Sequence, residues 1–261
     1  MRAASVIYMC AGCQKSERPF AIWLLCIMVF FAGFSFWLDR YGARVLVTVL
    51  NAEGKTTFGN KNEIDQNPGP LSAASRLAVG DELRTAPHGK VSLCLIPGIF
   101  VEVAEQTDLR IDELRFAKRG NAMVHAMRSR LAVLHLNKGI VRASLSNLGS
   151  GQYDLKIKTE VGMVTAGRAS LFTLQMDGVT ARITCVQGEV SWKSAHRNSA
   201  ELIPAGYFCA YSSGDETARR LLPASADAQA QSEVVAGLEF ARFLNDRASH
   251  LRDGQTPVPG R

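Results

Sequence analysis

Between Val45 and Tyr211 apolar and polar residues alternate in short runs, and glycine-bearing turns separate them. Alternation with period two sends successive side chains to opposite faces of an extended chain, and runs this short are not helical. The pattern predicts strands at Lys90 to Ile96, Phe100 to Ala104, Leu109 to Ile111, Leu131 to Leu136, Ile140 to Leu145 and Tyr153 to Thr159. It continues through Gly162 to Ala166, Ser170 to Met176, Val179 to Val186, Glu189 to Lys193, Glu201 to Ile203 and Tyr207 to Tyr211. Turns are expected at Pro97-Gly98, Asn137-Lys138-Gly139, Gly149-Ser150-Gly151, Asp177-Gly178, Gln187-Gly188 and Pro204-Ala205-Gly206. Upstream, Arg44 to Leu50 and Lys55 to Phe58 flank Asn51-Ala-Glu-Gly54 and read as a hairpin, and the polar stretch Gly59 to Ser75 reads as an excursion loop before Leu77 to Thr85. An all-β domain follows, of a kind that a sandwich, a barrel or a β-solenoid would satisfy.

Two stretches depart from this pattern. Phe20 to Leu38, FAIWLLCIMVFFAGFSFWL, has nineteen residues and no charge. At about 1.5 Å per residue it reaches roughly 28 Å, close to the thickness of a bilayer core. Trp23 at one end and Trp37 and Tyr41 at the other suit the headgroup zones. The exit Phe34-Ser35-Phe36-Trp37-Leu38 is too bulky for a cleavage site, so an uncleaved signal anchor is expected, with residues 1–19 as a cytoplasmic tail. At the other end, residues 213–261 form a linker, a helix and a fraying tail. From Ala226 to Arg252, Val234, Leu238, Ala241, Leu244, Ala248 and Leu251 make one apolar stripe, which Phe240 and Phe243 widen. Ser225 or Asp227 can cap its start and Gly254 its end.

A shift of eighty residues lays Lys90 to Ile96 on Ser170 to Met176 and Pro97-Gly98 on Asp177-Gly178. Two related β units, or shared hairpin grammar, would each produce this echo.

Composition narrows the function. The net charge of +6 is spread along the chain without a polybasic, aromatic-interleaved tract, so nucleic acid is not expected as a partner. The densest basic stretch, Arg115 to Arg130, reads as a solvated loop. Of six cysteines, Cys10 and Cys13 form a lone C-x-x-C without the further ligands a zinc site needs. Cys94, Cys185 and Cys209 admit at most one disulfide, and buried free thiols fit Cys94 and Cys185 equally well. The histidines, His88, His125, His135, His196 and His250, are scattered, and no pair has helical ligand spacing. No nucleophile elbow, phosphate loop or carboxylate pair is present. No catalytic, cofactor or metal residue is therefore assigned. A binding protein rather than an enzyme is expected, docking through exposed strand edges or the C-terminal helix.

An ordered set of residues carries a resemblance. It begins with Glu53-Gly54, Leu77-x-x-Gly80-x-x-Leu83-x-Thr85, Leu93-x-Leu95, Gly98-x-x-Val101-x-Val103 and Thr107-x-Leu109-x-Ile111. It continues with Val133-x-x-Leu136-x-x-Gly139-x-Val141, Ile157-x-Thr159-x-x-Gly162, Gly167 with Phe172, Val186-x-Gly188-x-Val190 and Ile203-x-x-Gly206. In order and spacing this resembles the FecR domain, an extracytoplasmic β module. The resemblance implies a FecR-type β domain over residues 39–212, β-solenoid or sandwich-like, displayed in the periplasm of a bacterium from a single inner-membrane span. It implies a role in envelope sensing or scaffolding, with a protein or envelope polymer as partner. Regulation of transcription through a sigma and anti-sigma system is the alternative that the family name carries, and an envelope glycan enzyme with an unfamiliar site is a third. Two departures matter. Gly167-Arg168-Ala169 and Pro97-Gly98-Ile99 replace the family's usual turns, and the tail is too short to hold the cytoplasmic domain by which anti-sigma members grip their factor.

Overall fold

The computed structural model describes residues 45–60, 64–66, 68–118, 127–147, 151–195, 199–212 and 221–252. The Phe20 to Leu38 span, the Cys10 and Cys13 pair, Gly254 and most of the Gly149-Ser150-Gly151 turn lie outside them.

Two sheets face each other across one apolar core, and one strand belongs to both. That strand, β9, runs Met127–Leu145. Its first half pairs with β8 (Asp108–Lys118) and, in parallel, with β10 (Gln152–Lys158) in sheet B. Its second half pairs with β7 (Ile99–Val103) and β12 (Leu171–Met176) in sheet A. The inward positions are Ala132, Leu134 and Leu136 before the crossing and Val141, Ala143 and Leu145 after it, so the crossing absorbs one residue of phase. The expected turn at Asn137-Lys138-Gly139 is therefore not a chain reversal. Gly139, at φ +102°, redirects a continuing strand.

On either side of β9 the same pairing scheme is used. In the first half, β1 (Val47–Glu53) pairs with β6 (Lys90–Ile96), and β6 pairs with β7. On sheet B, β2 (Thr56–Asn60) pairs with β5 (Asp81–Thr85), which pairs with β8. In the second half, β9 pairs with β12, which pairs with β13 (Thr180–Gln187). β10 pairs with β11 (Gly162–Ala166), which pairs with β14 (Glu189–Ser194). The eighty-residue echo thus coincides with a repeated topology, and Gly98 and Gly178 hold matching φ values of +92° and +99°. β15 (Ala200–Pro204) and β16 (Tyr207–Ser212) then add to β14 and β13 as β9 adds to β8 and β7. The short pairs β3 (Gly69–Pro70), β4 (Arg76–Leu77) and β17 (Leu222–Pro223) flank the outer strands. The architecture is a mostly β, two-layered coil without a closed barrel.

The opening hairpin is corrected. β1 lies in sheet A and β2 in sheet B, so Gly54, at φ +68°, carries the chain across the core instead of back along it. The crossings stack through their backbones: the Ala86 N–H donates to the Lys55 carbonyl at 3.0 Å, and the Gln106 N–H donates to the Ala86 carbonyl. Strands that leave one sheet for the other in this way find partners in the next coil, which a hairpin would deny them.

Helix α1, Ala228–Arg252, lies on the outer face of sheet A over β9, β12 and β13. Asp227 caps it, its Oδ1 accepting the Ala230 N–H at 2.8 Å. The contact face differs from the expected stripe. Ala230, Glu233, Gly237 and Phe240 are buried, whereas Leu238 stays 44% exposed and Val235 56%. The small Gly237 sets this rotation, because a Cβ there would lie 3.0 Å from the Val186 side chain. Arg130, expected in a solvated loop, is buried in β9 with its guanidinium 4.3 Å from the Tyr153 ring centre.

The two kinds of glycine corner separate cleanly in a stability experiment. A Cβ at Gly139 would meet Thr107 Oγ1 at 2.2 Å, while one at Gly178 meets nothing within 4 Å. Gly178→Ala is expected to cost about 1 kcal/mol, the backbone term alone, and Gly139→Ala about 3 kcal/mol or more. Urea midpoints of the two variants test this; equal losses would show that the crossing is not tightly packed.

Candidate functional site

The outer face of sheet A carries a polar row, and helix α1 covers the part of it on β9, β12 and β13. Directly paired residues form a row across it: Ser92, Glu102, Arg142, Thr173, Thr184 and Phe208, each opposite the next. Most of these would be solvated on an open sheet, yet Ser92, Glu102, Thr173 and Thr184 are buried. Charges of alternating sign link them. Lys90 Nζ reaches Glu102 Oε2 at 2.8 Å, Arg142 Nη1 donates to Glu102 Oε1 at 2.9 Å, and Arg142 Nη2 lies 3.7 Å from Glu233 Oε2 on the helix. That last contact is an ion pair too long to be a hydrogen bond. Nearer the helix start, Arg182 pairs with Asp227 and stacks on the Phe208 ring, and Gln229 donates to Gln175 at 2.6 Å. The Ala230 N–H and then Arg182 hold the Asp227 carboxyl below the usual carboxylate range.

Beside this row the second half of α1 stands off the sheet and leaves a groove of about 380 Å³. Its floor includes a second cross-strand row, Phe100, Ser144 and Leu171, with Gln187 beyond, and Ala241, Leu244 and Ala248 form the wall. None of its lining residues among those described is titratable. These residues offer apolar contact and neutral hydrogen-bond partners.

Sheet B carries a different surface. Arg84 lies among three carboxylates, 2.6 Å from Asp65, 2.6 Å from Glu82 and 3.5 Å from Asp108. Burial and then Glu82 push Asp108 up to about 6. Next along the sheet, Arg110 and Lys158 share Asp112, and His135 Nδ1 sits 3.5 Å from Arg110. Burial, then Arg110, lowers the His135 pKa, which keeps the ring neutral at pH 7. His135 is half-buried on the strand, as its alternation implied. Among the described residues no group of three His, Cys, Asp or Glu side chains converges to hold a metal. Cys94, Cys185 and Cys209 are free thiols, and burial pushes Cys94 and Cys185 up to about 11.

No motif in the sequence marks the groove or the ion row. Outward positions such as Glu102, Arg142 and Thr173 read as ordinary solvent-facing residues of a half-exposed strand. The one available signal was the C-terminal stripe, which needed some surface to cover it.

No protein-family model matches the chain, and no curated protein does. Among solved structures, two crystal structures of a proposed anti-sigma factor from Parabacteroides distasonis align with TM-scores of 0.37 at 13% and 12% identity. Each alignment covers 54% of this chain and 57% of the other, so the chain spans little more than half the length of the protein it matches. No helix among the described residues is long and apolar enough to cross a membrane.

The raised Asp108 gives a pH prediction with a definite sign. Between about pH 4 and pH 6 the folded chain holds a proton there that the unfolded chain has lost, so this contribution to stability falls as pH rises through that window. Asp108→Asn is expected to gain about 1–2 kcal/mol over the native chain at pH 7.5 and little at pH 4. Denaturant midpoints at the two pH values measure it, and a gain independent of pH would refute the assignment.

Proposed function

We propose that the chain is a non-enzymatic binding module of the cell envelope, anchored by Phe20 to Leu38 and displaying residues 45–252 outside the cytoplasm to a protein partner. The observation that carries the reading is the groove between α1 and sheet A, whose described lining residues are apolar or neutral and suited to recognition. The ordered FecR-like residues support it as well. Six of the eight glycines of the resemblance, Gly54, Gly80, Gly98, Gly139, Gly188 and Gly206, hold positive φ where this coil turns or crosses, whereas Gly162 and Gly167 do not.

A regulatory role in transmembrane signalling is the second reading. It rests on the same ordered resemblance; the solved-structure likeness, at its TM-score, adds no weight. Signalling and scaffolding use the same surface and differ in what the partner does after binding.

Two experiments test the module. Protease added to right-side-out spheroplasts is expected to degrade the β domain of the anchored chain, and full protection there would overturn the topology. Crosslinking of the full-length chain in living cells is expected to capture a discrete protein. Recovery of envelope polymer alone would move the function away from protein recognition. A deletion strain with an unchanged transcriptome would remove the signalling reading and leave the scaffold.

A further inference from the structure

Helix α1 is held on sheet A by an incomplete set of interactions. Its charged anchors are Asp227 on Arg182 and Glu233 on Arg142, and its buried apolar contribution comes mainly from Ala230 and Phe240. In and beneath this contact, Arg142 Nε, Arg182 Nε, Thr173 Oγ1 and Glu233 Oε2 are buried without a hydrogen-bond partner. A permanent helix–sheet interface would pair these groups or replace them with apolar ones, since each unsatisfied group weakens the docked state. Past Phe240 the fit loosens again, because Ala241 and Ala248 face the groove where larger side chains would fill it.

We propose that α1 is a displaceable stand-in, and that the face it covers is the docking surface for an acidic amphipathic helix of a partner protein. The inference rests on the binding-module reading and specifies the partner. Charge complementarity sets the first requirement: Arg142 is flanked by Glu102 and Thr173 and Arg182 by Gln175 and Ala210, and because Lys90 also pairs with Glu102, the two arginines leave this face with an excess of positive charge that Glu233 and Asp227 of α1 now meet. Such a surface accepts carboxylates and penalises a basic helix. The groove sets the second requirement. A competing helix needs leucine-sized side chains at the positions where α1 carries Ala241 and Ala248. A second copy of this chain would bring the same alanines and leave the groove as empty as it is now.

Hydrogen exchange on the unaltered full-length chain tests the stand-in. Amides of residues 230–245 are expected to exchange at least tenfold faster than those of β12 and β13, through an opening that leaves the sheets intact. Equal rates would overturn it. The surface is tested with a labelled synthetic peptide of residues 225–252 carrying A241L and A248L. This peptide should bind the full-length chain at least tenfold more tightly than the unmodified peptide. It should bind a Phe240→Ala chain, whose own helix is loosened, more tightly still. Loss of binding to an R142M/R182M chain that retains its native circular dichroism is expected. Peptide binding indifferent to these changes, or concentration-dependent dimers of the native chain that block the peptide, would refute the partner-helix inference. A partner captured in cells while the peptide fails to bind would sink this inference and leave the binding-module reading standing. Capture of no partner would remove both.

Discussion

Both halves of the molecule depend on one strand crossing from one sheet to the other. In β9 the side chains that face the core change phase between Leu136 and Val141, and only a residue tolerant of φ near +100° can sit at the corner. Thr107 closes that corner: its hydroxyl accepts the Ile140 N–H at 2.9 Å and lies where any Gly139 side chain would be. Thr85 supports Thr107 in turn, accepting its backbone N–H at 2.9 Å. The backbone groups that a crossing strand would leave bare are paired by two buried hydroxyls, so the core can pass without interruption from one coil to the next.

Outside that core the two faces are finished differently. Sheet B leaves its charges in partial contact with water, where ion pairs around Arg84 and Asp112 contribute modestly. Sheet A places comparable charges under a helix, where pairing must be closer to complete to offset desolvation. It is not complete there. The cost of an orphaned buried polar group, about 1–3 kcal/mol, is of the same order as the gain from burying one aromatic side chain such as Phe240. Each such group offsets part of what the ion pairs and Phe240 contribute to holding α1 on the sheet.

Much of the fold could be read from the chain. Strand positions followed from alternation, and the glycines marked where direction changes. What alternation cannot reveal is which of two events a glycine turn performs. Pro97-Gly98 makes a hairpin within one sheet and Gly54 makes a crossing between sheets, yet both are short turns with a glycine at positive φ. The difference lies in distant backbone partners such as Ala86 and Lys55. The helix was legible in extent and cap, but its face was not, because Gly237 counts as a weak position in an apolar stripe and proves to be the closest approach. The groove is built from Phe100, Ser144, Leu171 and Gln187, on four strands, and from a helix more than fifty residues later. No local pattern could bring those positions together.

The placement of β9 also governs the order in which the chain can acquire structure as it is made. Until residues 127–145 have emerged, β7 and β8 each present a bare edge, and the first coil has neither neighbour nor closure on that side. The first half therefore cannot mature as an independent early domain in the way N-terminal units of multidomain chains do. The edges that wait for a partner during that interval are those of residues 99–103 and 108–118.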